Sequence, residues 1–224
     1  MSAVGSFPLP GKLYFKQGCL PVALRELTDV YHASRVLILA DEEMLHDGRL
    51  TPLTGVLYDL GITYAVNSES FAADAVIVYT AFADQKQWDA VPDSVPRILI
   101  PASIIAVASA KWNRAEMLIL DEDFISDAIP VSAVREQTLK TAYGGLTGSN
   151  ASDYTLAWAV QAMRLIFSGD DSKSTLLHAF FMALLSMLAA HSDDAVSDNN
   201  LLPEAAEALG MTENELKERI SSYS

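Results

Sequence analysis

Residues 12–44, KLYFKQGCLPVALRELTDVYHASRVLILADEEM, leave few folds open to this chain. Leu13 and Phe15 alternate with polar neighbours ahead of Gly18, the pattern of a short edge strand closed by a turn. Pro21 fits the first turn of a helix. Leu20, Leu24, Leu27 and Tyr31 follow at spacings of four, three and four, so one helical face packs inward while Arg25, Glu26 and Asp29 face water. Residues 35–40 (RVLILA) are nearly continuous in apolar side chains, as expected of a central parallel strand covered on both faces. The carboxylate of Asp41 follows it. Strand, turn, amphipathic helix and buried strand in this order predict the entry to a Rossmann-like α/β domain.

The pattern continues downstream. Thr51 before Pro52 starts a helix whose inner face is Leu53, Val56, Leu57 and Leu60, and Gly61 ends it in the left-handed conformation. Residues 62–66 read as the next strand and 75–80 as another. The link between them, 67–74 (NSESFAAD), is too short for a crossover helix. Either those two strands pair antiparallel or the link is an unusual one. Residues 97–101 and 117–121 are two more strands, and 104–110 reads as a loop leading into a short helix. Pro130 marks the expected boundary between an α/β domain, 1–130, and an all-helical domain, 131–224.

Helices are expected at 131–143 and from Ser152 to about residue 167, the latter with Leu156, Ala159, Val160, Met163 and Ile166 or Phe167 facing inward. Between them GGLTGSN, 144–150, reads as a loop, and without a following Lys-Ser or Lys-Thr it is no phosphate loop. An apolar helix covers about 174–190. Its uncharged stretch of sixteen residues, 175–190, falls short of the roughly 20 needed to span a bilayer, so a buried or interfacial helix is expected. Pro203 starts a short helix that Gly210 ends, and Thr212 with Glu215 forms a capping box for the last one.

Charge and cysteine content narrow the function classes. A formal charge of −14 repels phosphate backbones and anionic membrane surfaces, so neither nucleic acid nor membrane is an expected partner. Cys19, the single cysteine, builds neither an intramolecular disulfide nor a cysteine zinc site, and it reads as a packed apolar residue rather than a nucleophile. With MSAVGSFPLPGK lacking the charged start and apolar core of a signal peptide, a cytoplasmic location is expected. Trp88, Trp112 and Trp158 read as core or interface residues.

Three stretches resemble the iron-dependent alcohol dehydrogenases, of the superfamily shared with dehydroquinate synthase. They are YFKQGCLPVALREL with RVLILADEEML, then DAVIV with VPRILIP, and AEMLILDEDFISDAIP with NASDYTLAWAVQAMRLIF. The resemblance covers most of residues 12–168, with gaps, and implies an NAD-linked, metal-assisted oxidoreductase fold. It also implies a helical segment where this chain has only 67–74. In the family a glycine-rich turn after a strand lets backbone N–H groups approach a pyrophosphate; here the equivalent is TAFAD, Thr80 to Asp84, without glycine. The family's threonine-rich turn is reduced to Ile100, Pro101, Ala102 and Ser103.

The family's metal ligands begin with an aspartate and a histidine four residues later on one helix; alignment back from Ala142 and Tyr143 puts Val134 and Thr138 there. No Asp or His lies between Ile129 and Ser152, and the later histidine motifs are not recognisable. His178 is expected to be a core or interface histidine and His191 the solvated end of a helix. The family's iron or zinc is therefore expected to be absent. Asp41 is the one candidate cofactor-binding residue, placed to accept hydrogen bonds from the ribose diol of NAD. Alternatively it caps the helix entered by Glu42, Glu43 and Met44, the reading we favour because the phosphate-binding half of the site is missing. The sequence thus predicts a shortened, degenerate relative without metal or dehydrogenase catalysis, acting by binding, as a homo-oligomer or a partner subunit. An NAD-dependent alcohol or aldehyde oxidoreductase with a remodelled site is the alternative.

Overall fold

A computed structural model describes residues 10–46, 48–80, 91, 94–103, 106, 115–124, 130–190 and 200–223. The chain divides into two compact units, Pro8–Ser126 and Asp127–Ser224. The first holds six parallel strands: β1 (Lys12–Phe15), β2 (Arg35–Ala40), β3 (Thr63–Val66), β4 (Ala75–Thr80), β5 (Arg97–Pro101) and β6 (Met117–Leu120). Their order in the sheet is β1-β6-β5-β4-β2-β3. Helix α1 (Leu20–Asp29) links β1 to β2, and α2 (Thr51–Asp59) links β2 to β3. The expected helix at 104–110 lies outside the described residues except for Ala106.

The inner stripes work as their spacing predicts. Leu20, Leu24 and Leu27 of α1 and Leu53 and Leu57 of α2 are buried, with Tyr31, Val56 and Leu60 packed at the margin of the same core. Strand residues of one parity, Val36, Ile38, Ile77, Ile98 and Ile119 among them, form its floor. Gly61, at φ +69°, closes α2 as expected.

Glu26 departs from the expected water-facing role. Its carboxylate accepts hydrogen bonds from Lys12 Nζ and from Tyr14 Oη (2.7 Å), tying α1 to β1. Those bonds, from Lys12 first and Tyr14 second, hold the carboxyl below its ordinary value, while the bond to Glu26, then burial, pushes the Tyr14 phenol up to about 12. Tyr14 thus keeps its proton more firmly folded than unfolded, and this contribution is present below pH 10 and lost as pH rises through about 12. The depressed Glu26 acts oppositely: its contribution holds above its ordinary value of 4.5 and disappears as pH falls through the lower folded value. Ultraviolet titration of tyrosinate should lose its component near 12 in Tyr14→Phe, and Glu26→Gln should bring that component back toward 10. A titration curve unchanged in both variants would contradict the contact.

The short link resolves in favour of the unusual connection. β3 and β4 do not pair; each runs parallel to β2, on opposite sides of it. Residues 67–74 therefore return along the sheet without a helix, which eight extended residues reaching roughly 28 Å can do past strands of about 20 Å. Side chains pin both ends. The Asn67 amide bonds Ala40 at both N–H and C=O (2.9 and 2.8 Å), replacing a strand neighbour while its own backbone turns at φ +47°. Asp74 accepts from Ser34 N–H, Ser34 Oγ and Arg35 N–H, bonds that hold its carboxyl below the ordinary value.

The second unit contains α3 (Val131–Leu146), α4 (Asp153–Phe167), α5 (Lys173–Ala190), α6 (Leu202–Ala208) and α7 (Glu213–Ser221). The apolar α5 packs against both α3 and α4. Of the stripe expected on α4, Ala159, Val160, Met163 and Ile166 are buried while Leu156 is half-buried; Phe167 lies half-buried under the Arg219 guanidinium, 4.2 Å from its ring centroid. Thr212 and Glu215 form the capping box. One expectation fails: residues 144–146, read as the start of a loop, are the last turn of α3. Gly145 is helical because it faces Ser186 of α5, where a Cβ would lie 2.1 Å from Oγ and 2.9 Å from the backbone carbonyl carbon. Glycine here serves helix packing, not a turn.

Candidate functional site

The direction of chain progression in the sheet changes between β2 and β4. From β2 the chain moves outward to β3, and from β4 it moves the other way to β5 and β6. In open parallel sheets ligands bind outside the carboxyl ends of the strands at such a switch point. Asp41 follows β2 and Thr80 ends β4, so the two residues flank it.

Their side chains meet. The Thr80 hydroxyl donates to Asp41 Oδ2 at 2.6 Å, with Thr80 buried and Asp41 half-buried. The 3-10 turn Glu42–Leu45 begins after Asp41, yet the Asp41 side chain makes no cap hydrogen bond to it; only the backbone carbonyl does, accepting from Met44 N–H at 2.9 Å. The favoured capping role is thus corrected. The side chain is drawn instead toward a hydroxyl on the neighbouring strand, a partner that local sequence could not reveal. Such a pair offers a ligand hydroxyl an anionic acceptor beside a fixed oxygen.

The described residues after β5 are packed against this edge. Ile100, Pro101, Ala102 and Ser103 are buried; Ala102 N–H donates to Thr80 C=O (2.7 Å), and Ser103 Oγ accepts from Ala106 N–H (3.0 Å). Of the glycine-free turn from Thr80 to Asp84, the residues after Thr80 lie outside the described set, as do His191, Trp88 and Trp112. Trp158 is half-buried beside Tyr154. Cys19 is buried, and burial raises its thiol, which leaves it a poor nucleophile.

A residue that sequence reading treated only as the end of a strand proves central at β6. Asp121 is 1% exposed, and its carboxylate accepts from Gly18 N–H (2.8 Å), Leu20 N–H (2.9 Å) and Asp123 N–H (3.1 Å). It organises the entry to α1, where Cys19 supplies no side-chain cap. Its signal was its position, a carboxylate directly after the apolar run MLIL, as Asp41 follows RVLILA.

Val134 and Thr138, the positions aligned with the first two metal ligands, do share the inner face of α3. They are 5% and 0% exposed, and the Thr138 hydroxyl donates to Val134 C=O at 2.8 Å. An isopropyl group and a hydroxyl spent on the backbone do not fit a divalent cation. Among the described residues, no group of three or more His, Cys, Asp and Glu side chains is arranged to hold a metal ion. His178 lies half-buried on α5.

No family model and no curated protein sequence matches the chain. Solved structures do match. An iron-containing alcohol dehydrogenase from Thermococcus thioreducens superposes with a TM-score of 0.69 at 17% identity, covering 97% of this chain and 84% of that one. The enzyme of the same description from Corynebacterium glutamicum gives 0.68 at 15%, covering 100% and 84%. Sulfoacetaldehyde reductase from Bifidobacterium kashiwanohense, solved in complex with NAD+, gives 0.68 at 10%, covering 100% and 85%.

Proposed function

We propose that this chain, which has the fold of the iron-containing alcohol dehydrogenases, acts by binding or subunit association rather than by dehydrogenase catalysis, without the metal. The observation that carries the reading is the pair on α3, Val134 and Thr138, which supplies no ligand where the resemblance calls for aspartate and histidine. The Thr80–Asp41 bond supports it further. A ribose diol would have to share or displace an existing 2.6 Å partner, and the glycine turn that should anchor the pyrophosphate is missing from the sequence. No tightly bound NAD is therefore expected, and we propose a cytoplasmic role.

Association is the second part of the proposal, as a homo-oligomer or with another subunit. Helix α5 is long and apolar enough, by length and composition, to cross a membrane, but half of its apolar window is buried. Its packing against α3 and α4 supports a core helix instead. His178, Met182, Leu185 and Ala189, spaced by four, three and four, remain half-buried and form a stripe without Asp, Glu, Lys or Arg, suited to a subunit contact. For a homo-oligomer, light scattering coupled to size exclusion should give a mass above 24.3 kDa, and a monomer at high concentration would refute that form of association.

The alternative, an NAD-dependent alcohol or aldehyde oxidoreductase, is favoured by one observation: Asp41 stands at the switch point. Calorimetric titration with NAD and NADH separates the readings. Heat too weak to fit a binding isotherm is the expected result; saturable binding that Asp41→Ala weakens would overturn this expectation and favour the alternative.

A further inference from the structure

The sheet face turned away from α1 and α2 carries a feature that the carboxyl-edge site does not use. Side chains alternate along β2, so Val36, Ile38 and Ala40 enter the core beneath the helices while Leu37 and Leu39 point to the opposite face and stay half-buried. With Val76 of β4 they floor a cavity of about 680 Å³. Phe71 and Ala73 of the helix-free link wall it, and Glu69 stands among its lining residues as the one charged side chain described there.

This cavity follows from the short connection. A crossover helix packs on the sheet and buries its face, whereas 67–74 returns without a helix, turning between Ser68 and Phe71, and borders the space above Leu37 and Leu39. The wall is also fixed. Asn67 and Asp74 bond the two ends of β2, and the Arg35 guanidinium covers the Phe71 ring at 4.8 Å from its centroid. A ligand entering here does not have to order that wall, so little of its binding energy is spent on preorganisation.

We propose that this cavity is a binding site for a neutral, apolar small molecule, aromatic or aliphatic. Its volume lies within the roughly 300–1,000 Å³ of small-molecule sites, and apolar side chains predominate in its lining. Charge selects the class further: Glu69 at the cavity and the formal −14 of the chain disfavour an anion. The site is independent of Asp41, and its existence does not depend on whether the chain binds NAD.

The test is a fluorescence titration of the full chain with N-phenylnaphthylamine, a neutral apolar probe, against its anionic relative anilinonaphthalene sulfonate. Saturable binding of one neutral probe per chain is expected, with the anion at least about tenfold weaker. Ala73→Phe, filling the cavity from the link, should weaken the neutral probe by at least about tenfold while circular dichroism stays native. Leu37→Phe fills it from the floor and serves if the first variant fails to fold. Glu69→Gln, at an exposed position, should leave the neutral probe within about twofold and narrow its margin over the anion. The proposal is overturned if the native chain shows no saturable binding, including because another chain occupies the cavity. It is equally overturned if a folded filling variant binds like the native chain, or if Glu69→Gln leaves the margin unchanged.

Discussion

Gly145→Ala is expected to destabilise the chain by about 3 kcal/mol and to lower its melting temperature by about 6–12 °C. The added methyl would sit 2.1 Å from Ser186 Oγ, 2.8 Å from its Cβ and 2.9 Å from its carbonyl carbon. A flexible neighbour could turn aside; Ser186 cannot do so freely, because it is fully buried and its hydroxyl donates to Thr155 C=O at 2.8 Å. The clash therefore couples three helices, α3, α5 and α4. Ser186→Ala in the same chain should not rescue it, since the Cβ and backbone contacts remain. Thermal unfolding of the single and double variants checks this, and melting within about 1 °C of the native chain would mean that α3 and α5 do not approach at this point.

Asp121→Ala should cost a similar amount, about 3 kcal/mol, through a different mechanism. Removal of the carboxylate strands the N–H groups of Gly18 and Leu20 in a site with almost no access to water. It also removes a negative charge from the N-terminus of α1, where the helix dipole favours one. Asp121→Asn should lie between, at about 2 kcal/mol, because Oδ1 can be kept for Gly18 and Asp123 while an amide NH2 then faces the Leu20 N–H. Denaturant unfolding gives the order native, Asn, Ala. Equal midpoints for all three would show that the carboxylate does not hold the β1–α1 entry.

These two residues show what local sequence can and cannot convey. Periodicity over 20–27 and 35–40 was enough to place α1 and β2, because burial on one face or two is written in the side chains themselves. The length of 67–74 was enough to reject a helix there. It could not choose between the remaining topologies, since the strand that separates β3 from β4 is β2, met earlier in the chain. Gly144 and Gly145 misled for a physical reason: glycine permits both a loop and a close helix contact, and only the position of α5 decides. The place of Asp41 at the carboxyl end of β2 was legible from the run RVLILA. Its bond to Thr80 was not, because pairing of residues 39 positions apart depends on strand order. Glu26 reads as water-facing for the same reason, its partners lying on β1 rather than on its own helix.

Our proposal is a dehydrogenase-like fold that holds no metal, with Val134 and Thr138 at the α3 positions where the resemblance calls for ligands. Its most direct test is metal analysis of the chain after incubation with ferrous iron or zinc and removal of the excess by gel filtration. The expected result is a metal content far below one per chain, unchanged in Thr138→Val. One equivalent of iron or zinc retained per chain would contradict the central claim and return the protein to the metal-dependent oxidoreductases.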